Sequence, residues 1–265
     1  RVQLMALDLK AVSLTKRFEA ANSPELTNAL AKLDQREPLG STDLEKGLRS
    51  AMAQFKEAGT SNRSVVYIGD GMSMADLLES KEFQSLVGDF TKQRIPVTSY
   101  AIGPRTDGQL LAVLANLTGG MLVVGLPVEE ANPDRGFSED DAQRENVTNA
   151  SAAGAYLARA ARGVVLWPTQ AQWPAALQEV YPAHAPPLRL DRDTIVVGTA
   201  EFGGPVNVSM NVNAHGKDME LRWVADPQPT GDDHAYLVSL VDNARADRGM
   251  TLPTVGVIAN PASGR

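Results

Sequence analysis

Ser64-Val65-Val66-Tyr67-Ile68-Gly69-Asp70-Gly71 decides how this chain is read. A run of β-branched and aromatic residues ends abruptly in Gly-Asp-Gly, which predicts a buried strand with one carboxylate presented just past its C-terminal end. Open α/β sheets bind their ligands at that edge. Upstream, Gly40-Ser41-Thr42-Asp43-Leu44 opens a helical pattern and offers a hydroxyl to the same crevice. Thr42 and Asp70 together supply two hard oxygen groups, the chemistry that suits a hard cation such as Mg2+.

Strand-like and helix-like segments alternate on either side of this stretch. An opening strand over Val2–Leu9 is followed by a helix from Ser23-Pro24-Glu25 through Leu26, Leu30 and Leu33, since Ser caps helices and Pro is favoured at the first helical position. Pro38-Leu39-Gly40 ends it. A second helix runs from about Asp43 with Leu44, Leu48, Ala51, Met52 and Phe55 at helical spacing and Gly59 as its stop. After the strand ending at Asp70, Phe83, Leu86, Val87 and Phe90 predict a third helix and Pro96–Ile102 a strand. Leu110, Leu111, Leu114 and Leu117 predict a fourth helix ending in Gly119-Gly120, and Met121–Val124 a last strand. Such alternation implies right-handed βαβ units, hence a doubly wound, mostly parallel α/β sheet covered on both faces.

The character changes from Pro127. Pro133, Gly136 and the acidic Glu139-Asp140-Asp141 read as a polar linker, followed by an Ala-rich helix around Ala150–Ala161. Short runs at Val164–Trp167, Thr194–Gly198, Val206–Val212 and Glu220–Val224, separated by Pro, Gly and Asn, predict a small antiparallel β domain. Leu237, Val238, Leu240, Val241 and Ala244 fit a short amphipathic helix before a loop-like tail from Pro253. The expected division is therefore an α/β domain over residues 1–126, a linker and helix over 127–162, a β-rich domain over 163–230, and a helix and tail over 231–265.

Composition narrows the function classes. The chain has 265 residues, 43% of them hydrophobic, enough for two domains that each bury a core. With 25 basic and 32 acidic residues its net charge is -7, which offers no electrostatic footprint for nucleic acid or an anionic membrane surface. There are no cysteines, so thiolate zinc sites, disulfides and cysteine nucleophiles are excluded. No apolar run approaches the roughly 20 residues that span a bilayer. The chain also lacks a phosphate-binding loop, a dinucleotide fingerprint, a Gly-x-Ser-x-Gly elbow and a His-Glu-x-x-His pair, which argues against an enzyme.

The order and spacing of four segments resemble a von Willebrand factor type A domain: Gly40-Ser41-Thr42-Asp43-Leu44, Ile68-Gly69-Asp70-Gly71, Ser99-Tyr100-Ala101-Ile102-Gly103 and Leu114-Ala115-Asn116-Leu117-Thr118-Gly119-Gly120. In that family a divalent ion is held by an Asp-x-Ser-x-Ser motif on the first strand, a Thr before a helix and an Asp after the fourth strand. Thr42 and Asp70 match the second and third of these. The first is not in this sequence, so the resemblance implies a chain that begins at the family's second strand and a site left incomplete and unfilled in this segment. Gly69 departs from the family's frequent Thr-Asp-Gly run. Pro187–Gly198 is similar to the β segment that follows such domains in relatives of inter-alpha-trypsin inhibitor heavy chains and in large bacterial proteins of similar layout.

The function implied is cation-dependent adhesion or protein binding, outside the cytoplasm or secreted. Thr42 and Asp70 would hold Mg2+, with Mn2+ or Ca2+ as substitutes; Ser41, Asp43, Gly71 and Ser73 would form the rim, and a partner's Asp or Glu would complete the shell. Two alternatives stand beside it: a scaffold module of a surface or envelope assembly that uses no metal, and a metal-dependent hydrolase. Single segments also have plainer readings. Thr42-Asp43-Leu44-Glu45 is a capping box in which Thr caps and Glu45 reaches back, and Asp70 between glycines suits a tight turn. Asp191, Asp193, Asp232 and Asp233 lack the ordered ligand loop of a calcium site and read as solvated turns. His184, His215 and His234 show no ligand spacing.

Overall fold

A computed structural model describes residues 1–37, 42–57, 62–73, 80–103, 105–124, 139–228, 231, 234–249 and 258–259. The chain divides into two compact units, both discontinuous in sequence: residues 1–63 with 71–93, and residues 64–70 with 94–265.

In the first unit the opening run does not make one long strand. β1 (Met5–Leu7) turns back on β2 (Ala11–Ser13) as an antiparallel hairpin. The Asp8 carboxylate accepts from the Lys10 backbone N–H at 2.9 Å and fixes the turn. α1 (Pro24–Asp34) starts as expected: the Ser23 hydroxyl accepts from Leu26 N–H at 3.2 Å and Pro24 occupies the first turn. Its buried face is Leu26 and Ala29, while Leu30 and Leu33 are 52% and 38% exposed, so the expected leucine stripe is only partly a core stripe. α2 (Leu44–Ala53) runs into a short 3-10 turn over Gln54–Glu57. Leu44, Leu48, Met52 and Phe55 are all buried, as the spacing predicts. Gly47 allows close approach to β1, since a Cβ there would fall 2.3 Å from Leu7 Cδ2. α3 (Ser80–Lys92) buries Phe83, Leu86, Val87 and Phe90, the predicted set. Arg49 links α2 to α3 by pairing with Glu45 at 2.6 Å and Asp89 at 2.7 Å. The expected breakers Pro38, Leu39, Gly40 and Gly59 lie outside the described residues.

The second unit contains the parallel sheet. β3 (Val65–Gly69), β4 (Val97–Ala101) and β5 (Leu122–Val124) pair in parallel, with α4 (Gly108–Thr118) as the crossover between the last two. β4 is buried almost throughout, as a strand inside a parallel sheet should be. β3 is not the fully buried strand its composition predicts: Val65 and Tyr67 are buried, whereas Val66 and Ile68 are 41% and 59% exposed. Among the described residues β3 pairs with no strand other than β4, and Val66 and Ile68 leave one of its faces exposed.

α4 is apolar nearly all round, and Leu111 to Asn116 are buried. It stops at Gly119, whose φ of +79° is the left-handed cap conformation. A Cβ at Gly120 would fall 1.7 Å from the Val97 carbonyl oxygen, so no other residue fits where the chain crosses β4.

α5 (Glu139–Ala160) includes the acidic cluster that reads as linker, so the helix starts eleven residues before the alanine-rich stretch at Ala150. Beyond it lie β6 (Val165–Gln172), β7 (Leu177–Tyr181), β8 (Leu188–Arg189), β9 (Val197–Ala200), β10 (Val206–Ala214) and β11 (Lys217–Ala225). They form antiparallel sheets of order β11-β10-β6-β8 and β7-β9. β10 and β11 are joined at His215-Gly216, both with positive φ (49° and 77°), the backbone a two-residue hairpin requires. Leu166, Met210, Val212 and Ala214 form the buried cluster of the larger sheet.

α6 (Tyr236–Asp247) buries Ala244 and half-buries Leu237, Leu240 and Val241, so its expected apolar face is partly covered, with Val238 exposed. The tail does not simply trail away. β12 (Ile258–Ala259) pairs in parallel with β5, Ile258 opposite Leu122, giving a sheet of order β12-β5-β4-β3. The antiparallel strands are thus an excursion between two neighbouring strands of the parallel sheet, and they belong to the same compact unit.

Candidate functional site

Asp70 sits where the sequence pattern puts it, one residue past the carboxyl end of β3. Its backbone is fixed from the next strand and its loop: Gly69 carbonyl accepts from Ile102 N–H at 3.2 Å, and Asp70 carbonyl accepts from Asp107 N–H at 2.8 Å. Gly103, at φ +117°, lies alongside; a Cβ there would come within 3.6 Å of Asp70 Cβ. Gly71 has φ +76°, so the chain leaves the strand through a conformation that glycine adopts without strain. The departure at Gly69 has a local cause, because a Cβ at that position would lie 2.5 Å from the Tyr67 hydroxyl. The sequence reading missed Asp107. Its carboxylate accepts from Leu110 N–H at 2.9 Å and caps α4, and the signal was present in an Asp-Gly pair directly before an apolar helical run.

Thr42, Asp43, Gly71 and Ser73 belong to the first unit. The helix cap is Asp43 rather than Thr42, which corrects the capping-box reading: Asp43 Oδ1 accepts from Lys46 N–H at 2.9 Å. Glu45 does not reach back but pairs with Arg49. Asp43 is 3% exposed, and its other oxygen lies 2.5 Å from Lys46 Nζ. Burial alone would raise its pKa, but the hydrogen bonds and charge of Lys46 bring it below the ordinary carboxylate value. Ser73 fastens the same turn, since its hydroxyl accepts from Leu44 N–H at 3.3 Å and donates to the Thr42 carbonyl at 3.4 Å. Thr42, Asp43 and Ser73 are therefore brought together, with the Asp43 carboxylate committed to the cap and to Lys46. Ser41 lies outside the described residues.

These donors are of the kind a hard divalent ion takes: a hydroxyl at Thr42 and a carboxylate at Asp70. Among the described residues no group of three or more His, Cys, Asp or Glu is placed to hold a metal. Asp191 is paired with Arg189 at 2.6 Å through both its oxygens, a structural use and not a calcium loop. Asp232 and Asp233 lie outside the described residues. Among the described residues no helix is long and apolar enough to cross a membrane.

Comparison with known proteins bears on the fold. Residues 1–124 match the family model of the von Willebrand factor type A domain. No curated protein matches the chain. Among solved structures, 92% of the chain superposes on a von Willebrand factor type A protein from Catenulispora acidiphila, with TM-score 0.52 and 14% identity. It also aligns over 92% of its length with the ArnB paralog VWA2 from Sulfolobus acidocaldarius, with TM-score 0.42 and 13% identity. The chain spans 63% of the first of these proteins and 57% of the second. The first superposition extends beyond the parallel sheet into the antiparallel strands, and shows likeness of fold alone. With parallel strands, the crossover helix α4 and a carboxylate at the carboxyl edge of β3, the segment 1–124 is similar to the von Willebrand factor type A domain whose family model it matches.

Proposed function

We propose that the protein is a divalent-cation-dependent protein-binding module whose own ligands to the ion are Thr42 and Asp70. Domains of this type are commonly protein-interaction modules, and the observation that carries the reading is Asp70 at the carboxyl end of β3, on backbone held by Asp107 and Ile102. The bound ion, Mg2+ or Mn2+, supplies an incomplete oxygen shell that a partner's Asp or Glu completes. Thr42 offers a neutral oxygen and Asp70 a charged one, which leaves the ion positive enough to attract an acidic side chain. Asp43 keeps its carboxylate on Lys46 and serves by fixing the turn after Thr42, and Ser73 braces that turn. The antiparallel strands downstream, similar to the segment that follows such domains in inter-alpha-trypsin inhibitor heavy chain relatives, act as scaffold in this reading. Catalysis has no role in it.

Isothermal titration of Mg2+ and Mn2+ into the protein tests the reading, beside Asp70→Ala and Thr42→Ala. The expected result is one ion bound, lost in Asp70→Ala and weakened in Thr42→Ala, with unchanged circular dichroism. Absence of binding by the folded protein would replace the cation-dependent reading with that of a metal-free scaffold.

A further inference from the structure

β11 is an unusual edge. All nine residues pair with β10, from Lys217 opposite Ala214 to Ala225 opposite Val206, so one side of the strand is fully used. Its other side faces no strand among the described residues, and along β11 only Leu221 and Ala225 are even half-buried. Natural sheets blunt such edges with short strands, prolines, bulges or charged side chains. β11 is nine residues long with no proline or bulge, its ladder with β10 being regular from end to end, and its charges Lys217, Asp218, Glu220 and Arg222 are of both signs, so they admit a partner strand whose register sets opposite charges together.

The strand is also amphipathic in a way that leaves its sheet unfinished. Met219, Leu221 and Trp223 lie opposite Val212, Met210 and Val208, which are buried. The apolar row therefore runs off the edge of the sheet, where Met219 and Trp223 are each 42% exposed. The opposite face carries Asp218, Glu220, Arg222 and Val224.

We infer that β11 pairs antiparallel with β11 of a second copy of this chain, about a two-fold axis at Leu221. Side chains alternate across a strand, and an axis normal to the sheet keeps each face on its own side. Opposed residues must then share a face, which restricts the register. An axis at Glu220 sets Glu against Glu, and an axis at Arg222 sets Arg against Arg. An axis at Leu221 sets Glu220 opposite Arg222 twice and Met219 opposite Trp223 twice, with Leu221 on itself. It also uses the strand from Lys217 to Ala225. In the single chain Arg222 already grips Glu220 along the strand, at 2.7 Å from both donors. Across the axis the four charges alternate in sign, and like charges directly opposite would be unfavourable.

Sedimentation equilibrium of the 265-residue protein at micromolar concentration should show a monomer–dimer equilibrium. Arg222→Glu should weaken it by about tenfold or more. The double variant Glu220→Arg with Arg222→Glu should restore it, which a dimer through any other surface would not do. The chain has no cysteine, so Leu221→Cys gives a single thiol. Opposed Cα atoms in an antiparallel pair lie about 4.5 to 5.5 Å apart, within disulfide reach, so oxidation should link the copies. Lys217→Cys, opposite Ala225, should not link. A monomer at every concentration, a dimer indifferent to Arg222→Glu, or a dimer that fails to cross-link through position 221 would each overturn the inference.

Discussion

Arg189 shows what one residue does to a fold. Its guanidinium is buried and donates to the Gly119 carbonyl at 3.2 Å, the Ala160 carbonyl at 3.0 Å and both Asp191 oxygens at 2.6 Å. Gly119 and Ala160 lie at the C-terminal ends of α4 and α5, where carbonyls lack helical partners and a cation complements the helix dipole. Arg192 does the same for Asn116, donating to its backbone and side-chain oxygens at 3.2 and 3.0 Å. Burial, with the neighbouring Arg189 charge, pushes the Arg192 pKa down to about 10, against the pull of Asp191. Lysine cannot reproduce this fork, so Arg189→Lys should cost roughly 2–4 kcal/mol in urea unfolding, while an exposed pair such as Arg17–Glu19 contributes little. Asp191 gives a pH signature. Burial raises its pKa, but the hydrogen bonds and charge of Arg189 hold it below the ordinary value. A depressed folded pKa stabilises the protein above the unfolded value, about 3.9 for Asp, and that stability is lost as pH falls below it. Asp191→Asn should therefore flatten the loss of stability between neutral and strongly acid pH, measured by denaturant midpoint.

At the scale of elements, legibility tracked how local each element's cause is. α3 shows its buried stripe in the spacing of Phe83, Leu86, Val87 and Phe90, and α1 shows its cap in Ser23-Pro24, because both depend on neighbours three or four residues away. β8 lies in Pro187–Gly198 and was marked only by the family resemblance of that stretch: it is two residues long, and the arginine that makes it structural reads as surface. β12 was hidden as well, because its partner β5 is more than a hundred residues upstream and nothing within Ile258-Ala259 marks the pairing. The proposed ligands Thr42 and Asp70 stand out as a pattern in the sequence, while the transfer of the cap to Asp43 turned on one residue of register. Glycines test the same distinction. At Gly120 the missing side chain is required by β4, so Gly120→Ala should cost more than about 3 kcal/mol or prevent folding. Gly154 lies in α5 with nothing within 4 Å of an added Cβ, so Gly154→Ala should raise stability by about 0.5–1 kcal/mol. Paired thermal melts decide whether the two glycines differ as this geometry requires.

For the whole molecule, the sequence predicts an α/β domain over residues 1–126 and a small β-rich domain over 163–230. The parallel strands β3, β4, β5 and β12 and all the later antiparallel strands fall in one compact unit, while the opening hairpin and α1 to α3 fall in the other. The cause is the excursion between β5 and β12, whose two ends return to neighbouring strands, and the arginine clamps that bind β8 and its flank to the ends of α4 and α5. A segment tied in this way cannot open without releasing buried guanidinium groups and helix-end carbonyls, each costly when left unpaired. The amides of β4 in the parallel sheet and of β10 in the antiparallel sheet should therefore exchange with solvent through the same opening, at matching free energy, in native-state hydrogen exchange. Arg189→Lys should lower both together. Protection that falls in β10 while β4 keeps its full value would mean that the antiparallel strands open as a separate unit, and that the clamps join two independent folds without making one.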